Sequence, residues 1–345
     1  MDIHFSIIIP AYNRAHQLLL TLASFNNQIN SKGSYEIIVV DDGSTDDTRE
    51  IVQSFPAIYP LTYTHTERNT GRSCARNRGI ALAKGQYVIF CDSDFFVIPK
   101  FIQILREYHL RYSKSVISGI PYSWNSVYTH YYPDFPQGQK VEMYQTLKPY
   151  GLWNDSFWGE EKHIVSIVQP EDIYNNNFEK IKHILAPWAL NLDAKKEKQQ
   201  TKVAPWLLFV TRCVSVEKQY LERVGGYDES FLTYGLEDWE LGYRLHRLGL
   251  SFVSIDQTVG YHQEHPRGRS QLDANWGNLR IIYNKFGFSE PELNLFALVP
   301  PWVNQGEYTK NLRKWRKYKK DNRVDEVKRL ENKWKRKAID FYENK

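Results

Sequence analysis

Cysteine is scarce in this 345-residue chain: Cys74, Cys91 and Cys213 are three in number and widely separated, which supplies neither a disulfide framework nor a paired metal-binding spacing. A reducing compartment is the natural expectation. Long hydrophobic runs are missing too, since no stretch approaches the roughly 20 apolar residues that span a bilayer. The opening MDIHFSIIIP enters a strand-like run almost at once, without a basic segment and long apolar core, so no secretory leader is expected. Nor does a glycine-rich turn follow that run. Pro10-Ala11-Tyr12-Asn13 stands there instead, which argues against a dinucleotide-dependent oxidoreductase, whose cofactor pyrophosphate needs such a turn.

What is present is ordinary in bulk and uneven in placement. Hydrophobic residues make up 42% and charged residues 25%, which excludes a disordered chain or a membrane-embedded body. Aromatic residues reach 14% and cluster between Tyr122 and Trp206; they fill cores, and they also stack on sugar rings. Net charge is +5, but residues 307–345 hold 15 Lys and Arg against 7 Asp and Glu, a net +8 that leaves −3 for the rest. A basic tail on a near-neutral body argues against a nucleic-acid-binding body.

Two apolar runs, Phe5 to Ile9 and Glu36 to Val40, read as buried parallel strands. Between them Leu18, Leu19, Leu22, Ala23 and Phe25 form one helical face, completing a strand-helix-strand unit. Ser44 and Asp47 resemble a helix cap, followed by a helix through Val52, a strand over Leu61 to Thr66, a helix over 71–84 and a strand from Gln86 to Cys91. This alternation predicts an α/β fold, a mostly parallel sheet flanked by helices, with ligands beyond the carboxyl ends of the strands. Tyr12-Asn13, Asp41-Asp42 and Asp92-Ser93-Asp94 all follow strands, so they should converge on one edge. Residues 124–205 lack clear periodicity and read as an inserted region of helices and loops. Pattern returns at Trp206 to Val216 and in a helix from Glu237 to Leu248, ended by Gly249.

Asp92 and Asp94 should emerge together at the sheet edge, where two like charges are costly and Mn²⁺ or Mg²⁺ relieves the cost. Aspartates after a strand also make turns. Asp42, inside VVDDGSTDD, either faces a base edge or shapes a turn. Arg72 and Arg76 lie four apart near a helix N-terminus, suited to phosphate oxygens or to surface ion pairs.

Taken together, SIIIPAYNR, VVDDGSTDDT, NTGRSCARNRG and FCDSD, over residues 5–94, resemble the first half of family 2 glycosyltransferases with the GT-A (Rossmann-like) fold. The resemblance implies that Pro10, Tyr12 and Asn13 line a nucleotide pocket, Asp42 contacts the base, and Arg72 or Arg76 lies near the diphosphate. It further implies that Asp92, Ser93 and Asp94 form a DXD motif on ribose and metal. In the second half, GGYDESFLTYGLEDWELGYRL resembles the galactosyltransferase-type segment of chondroitin- and hyaluronan-polymerising enzymes. Glu237 and Asp238 are then the acidic pair at a helix N-terminus, where a carboxylate tends to stay ionised: Asp238 takes the acceptor proton and Glu237 binds neighbouring hydroxyls. Trp239 forms a sugar platform or packs. His262 matches a further metal ligand, with His265 three residues on as its substitute.

The expected organisation is a nucleotide-sugar-binding half over 1–120, an acceptor-binding and catalytic half over 121–300 of the same domain, and a basic helical tail over 301–345. The expected function is transfer, with inversion, from a nucleoside-diphosphate sugar such as a UDP-sugar to a glycan, lipid-linked or protein acceptor. Such an enzyme would act in bacterial-type surface glycan synthesis, in the cytoplasm or peripherally on the inner face of the membrane. A non-catalytic sugar-nucleotide or glycan-binding module is the alternative. Val327, Leu330, Trp334, Ala338 and Phe341 repeat at helical spacing within the basic tail, about 309–341; this face packs on the body, pairs with a second copy or lies on an anionic membrane.

Overall fold

The computed structural model describes residues 4–29, 31, 34–174, 178–186, 202–266 and 271–344. Strands β1 (Phe5–Ala11), β2 (Tyr35–Asp41), β3 (Leu61–His65) and β4 (Tyr87–Cys91) alternate with helices α1 (Ala15–Asn26), α2 (Thr48–Ser54) and α3 (Arg72–Leu82). Side chains of β1 and β2 are almost wholly buried, as a sheet covered by helices on both faces requires. Beyond β4 come β5 (Phe95–Val97), α4 (Phe101–Arg111) and β6 (Ser115–Ser118); the inserted region then supplies β7 (Ser126–Val127), β8 (His130–Tyr131), α5 (Gln137–Leu147), β9 (Val165–Ser166), α6 (Pro170–Tyr174) and α7 (Phe178–His183). The part of it at 187–201 lies outside the described residues.

After it follow β10 (Cys213–Glu217), α8 (Lys218–Val224), α9 (Glu237–Arg247), β11 (Ser251–Ser254), β12 (Gly260–Gln263), α10 (Gln271–Phe286) and α11 (Pro291–Asn294). Seven strands form the main sheet in the order β11-β6-β10-β4-β1-β2-β3. All neighbours pair in parallel except β10, which runs against both β4 and β6. That reversal brings the start of β10 to the edge where β4 ends, with Cys213 directly opposite Cys91. Both thiols are buried and unlinked.

The expected run from Trp206 to Val216 is therefore not one element: a 3₁₀ turn (Pro205–Leu208) and a loop holding Thr211 precede β10. A second, three-stranded sheet, β5-β12-β7, pairs His262 with Phe95 on one side and with Ser126 on the other. The aperiodic segment thus gives a two-residue strand that holds His262 in line.

Helix α3 lies close against β1. A Cβ on Gly79 would sit 2.3 Å from Ile8 Cγ2, so glycine permits the approach that carries the first turn of α3 to the ligand edge.

The tail is not one helix but two, α12 (Pro301–Lys320) and α13 (Val324–Asn344), broken at Asp321-Asn322-Arg323 where Asn322 turns left-handed at φ 52°. Trp334 and Ala338 are fully buried, in one cluster with Trp206, Leu236, Tyr243, Leu279 and Phe296 of the body. Val327, Leu330 and Phe341 pack against it, so the apolar face read from the sequence covers the body beside α9. No described helix is long and apolar enough to cross a membrane.

Candidate functional site

One cleft runs along the carboxyl edge of the sheet in two chambers. The first is lined by Pro10, Tyr12, Asp42, Arg72, Arg76, Asp92, Ser93, Asp94, Glu237 and His265. The second holds Asp238, Trp239, Thr211 and Arg212, and shares Arg72, Arg76, Asp92, Tyr234 and Glu237 with the first. Residues far apart in the chain therefore meet.

Asn13 does not join them. It sits at φ 51°, its side-chain oxygen accepts from Thr45 N at 2.8 Å, and its own N–H donates to Ser44 Oγ at 2.9 Å. Ser44, held there, cannot cap α2, which begins four residues later; Asp46 accepts from Thr48 N instead. Asp42 is buried and anchors the start of α3, accepting from Thr70 N and Gly71 N, each at 2.8 Å, and from the Thr70 and Thr66 hydroxyls. Only the Gly71 bond falls on Oδ2, so that oxygen keeps capacity for another donor at a residue lining the first chamber.

Arg72 and Arg76 part company despite sharing a helix face. Arg72 is exposed at the rim, its guanidinium 4.7 Å above the Tyr234 ring. Arg76 is 1% exposed and contacts three carboxylates, Asp238 at 3.3 Å, Glu237 at 3.4 Å and Asp92 at 3.7 Å. It also donates to Thr211 Oγ1 at 2.5 Å. Burial works against its charge, but Asp238, Tyr227, Glu237 and Asp92 outweigh that and hold it firmly protonated.

Asp238 is fixed on both oxygens. Oδ2 accepts from Thr211 N at 3.1 Å and Thr211 Oγ1 at 3.0 Å; Oδ1 takes Arg76 and the Tyr227 hydroxyl, each at 3.3 Å. Its side chain keeps 17% of its exposure, turned to the second chamber. Burial pushes its carboxyl up to about 6, with Arg76 pulling down and Glu237 pushing up. A carboxyl raised to about 6 is still ionised at neutral pH, although desolvation offsets part of what the helix N-terminus contributes. Glu237 accepts from Gly235 N at 2.7 Å, across a turn in which Gly235 (φ 114°) and Leu236 (φ 68°) are both left-handed. A non-glycine residue held so is strained, and the strain aims the acidic pair into the cleft.

Asp94, His262 and His265 form a third group, their ligating atoms within 4.8 Å of one another. Asp94 Oδ2 lies 3.3 Å from His265 Nε2 and 3.6 Å from His262 Nε2, while Asp94 Oδ1 is buried without a hydrogen-bond partner. Burial pushes the Asp94 carboxyl up, yet the two imidazoles bring it well below the usual range. A carboxylate with one oxygen unpartnered and the other beside two imidazole nitrogens fits a divalent cation such as Mn²⁺. Both histidines, rather than one, face Asp94. Ser126 Oγ lies 3.3 Å from His262 Nδ1, an outer contact of the kind that orients a ligating ring.

Trp239 lines the second chamber and also packs edge-on against Phe296, 6.4 Å between centroids. Sequence reasoning missed Thr211, Arg212 and Tyr234. Thr211 and Arg212 reach the cleft only through the reversal of β10, which leaves no mark in periodicity; Tyr234 sat inside a quoted motif without a role.

Residues 6–154 match the family described as Glycosyl transferase family 2, and 203–266 match the N-terminal domain of galactosyltransferase. An uncharacterized glycosyltransferase, YfnE of Bacillus subtilis, is 30% identical over 295 residues, 81% of this chain and 70% of that one. Chondroitin synthase of Escherichia coli is 31% identical over 277 residues, 79% of this chain but 36% of the synthase. Among solved structures, S. aureus TarS 1–349 in complex with UDP-GlcNAc superposes with TM-score 0.54 at 17% identity, covering 99% of this chain and 89% of that one; it shares the GT-A fold. The chain is a glycosyltransferase and belongs to family 2, with a galactosyltransferase-type segment joined to its first half.

Proposed function

We propose that this enzyme moves a sugar from a UDP-sugar to an acceptor hydroxyl, with inversion, in the synthesis of a bacterial-type surface glycan. The carrying observation is the single cleft, with the Asp94, His262 and His265 group in reach of one chamber and Asp238 in the other. TarS of the same fold holds UDP-GlcNAc, which supports a uridine donor. In this reading the nucleotide lies along Pro10 and Tyr12 with its base at Asp42 Oδ2, Arg72 faces the diphosphate, and Asp92 and Ser93 face the ribose. Asp94, His262 and His265 would hold a divalent cation, which supplies charge neutralisation to the leaving diphosphate.

On the acceptor side, Trp239 and Glu237 orient the sugar. Asp238 takes the hydroxyl proton as that oxygen bonds to the anomeric carbon and the carbon–oxygen bond to the diphosphate breaks. Nucleoside diphosphate leaves. Incubating the chain with Mn²⁺ and a panel of UDP-sugars and following UDP by mass spectrometry tests this; a non-catalytic binder releases none. Asp94→Asn should weaken Mn²⁺ binding by about tenfold or more, read by paramagnetic resonance of free Mn²⁺. Unaltered binding would remove Asp94 from the cation's shell.

For location, we propose peripheral contact of the tail with the anionic inner face of the membrane. Thirteen Lys and Arg of α12, α13 and their turn are exposed, against four exposed Asp and Glu. Sedimentation with phosphatidylglycerol vesicles should fall by about tenfold or more on reversing Lys328, Lys335 and Arg336 to Glu, and in about 0.5 M NaCl. Equal sedimentation of the variant would end this reading.

A further inference from the structure

Arg212 stands out among the arginines around the cleft. It lines the second chamber with Trp124, Trp239, Trp302, Asn275 and Asp238. Its Nε is buried with no hydrogen-bond partner, and among the described residues it forms no ion pair. Arg76 nearby contacts three carboxylates, and those three are the acids of this chamber. Among the described residues, therefore, a half-buried guanidinium stands in the chamber with no carboxylate in contact with it. Such an arrangement is costly unless the missing anion arrives with a ligand. Trp302 Nε1, also buried and unpartnered in the same chamber, adds a second donor without an acceptor.

We infer that Arg212 is an anion subsite for the acceptor, so that the acceptor is an acidic glycan bearing a carboxylate or phosphate next to the sugar that receives the new bond. The claim rests on the transferase reading for the word acceptor and deepens it by naming a substrate class. Geometry assigns the anion to the acceptor because Arg212 lines the chamber of Asp238 and Trp239, not that of Pro10, Tyr12 and Asp42. Arg72 lines both chambers and is left for the diphosphate. A planar fork of donors matches a carboxylate or phosphate in two-point contact, and a site built to bind a polar group discriminates strongly against a ligand that lacks it.

The test uses matched acceptors: short oligosaccharides ending in glucuronate, and the same chains with the terminal carboxyl reduced to an alcohol. A third set carries a terminal phosphate. Binding is read by tryptophan fluorescence in the presence of UDP and Mn²⁺, and transfer by mass spectrometry. Wild type should prefer either acidic form by about tenfold or more, and Arg212→Gln should cut kcat/KM for the acidic forms about 10- to 100-fold and abolish the preference. Arg212→Lys should recover part of it. Equal binding of acidic and reduced acceptors by wild type, or an equal loss for both in Arg212→Gln, would overturn the subsite. A raised KM for the donor in Arg212→Gln would overturn it too, by giving the guanidinium to the diphosphate. The fluorescence titration needs no turnover, so absent UDP release would sink the transferase reading while the anion preference is still read.

Discussion

Asp238→Asn is expected to lower transfer by about 10²- to 10⁴-fold, the usual contribution of a positioned general base, with the folded structure intact. Asparagine keeps the acceptor oxygen facing Thr211 but cannot take a proton. In wild type, the carboxylate is the working form, and burial raises its carboxyl to about 6. Rate should therefore be flat above about pH 6 and fall about tenfold per unit below it, whereas an ordinary carboxylate would keep the rate level to about pH 4. The same shift has a stability sign. Folded Asp238 holds its proton more tightly than unfolded Asp238, so between about pH 4 and about pH 6 the native state binds more protons and its contribution to stability falls as pH rises. A pH–rate profile with saturating donor, beside urea unfolding at pH 5 and 7, checks both; a rate level down to pH 4 would remove Asp238 as the base.

Arg76→Met should cost about 3–5 kcal/mol of stability, the loss usual when one member of a buried charge group is removed. Methionine of similar length fills the space, but Glu237, Asp238 and Asp92 then face one another without a cation. Without Arg76 pulling it down, the Asp238 carboxyl rises further in the folded state, so the deficit should shrink on going from pH 7.5 to 5. Urea unfolding at the two pH values reads this directly. A deficit that stays constant would mean that lost packing, not charge, explains the effect. Transfer should also fall, because Arg76 fixes Asp238 against Thr211.

Much of the first half was legible because its strands are near-continuous apolar runs and its polar residues follow them directly. Asp42, Asp92 and Asp94 had to share an edge once four parallel strands were read. Asn13 and Ser44 looked like pocket and cap, but a left-handed residue at 13 turns its side chain into the loop, and a single sequence does not reveal φ. Arg72 and Arg76 looked equivalent by helical spacing. What separates them is the reversed β10 and the return of α9, contacts more than a hundred residues away in the chain. His265 joined His262 because β12 ends between them and the chain turns back over Asp94. In the tail, spacing revealed the buried stripe of α13, while the break at Asn322, again a left-handed residue, was invisible.

Chains are made in one direction, and the cluster behind α9 draws Trp206 and Tyr243 together with Trp334 and Ala338. Strands β1 to β4 pair with one another and can close early in synthesis. The wall behind α9, which carries the proposed base, waits for Trp334 and Ala338, made roughly a hundred positions later. On the proposed function, a chain stopped in between would have its first strands in place but not the wall that backs Asp238.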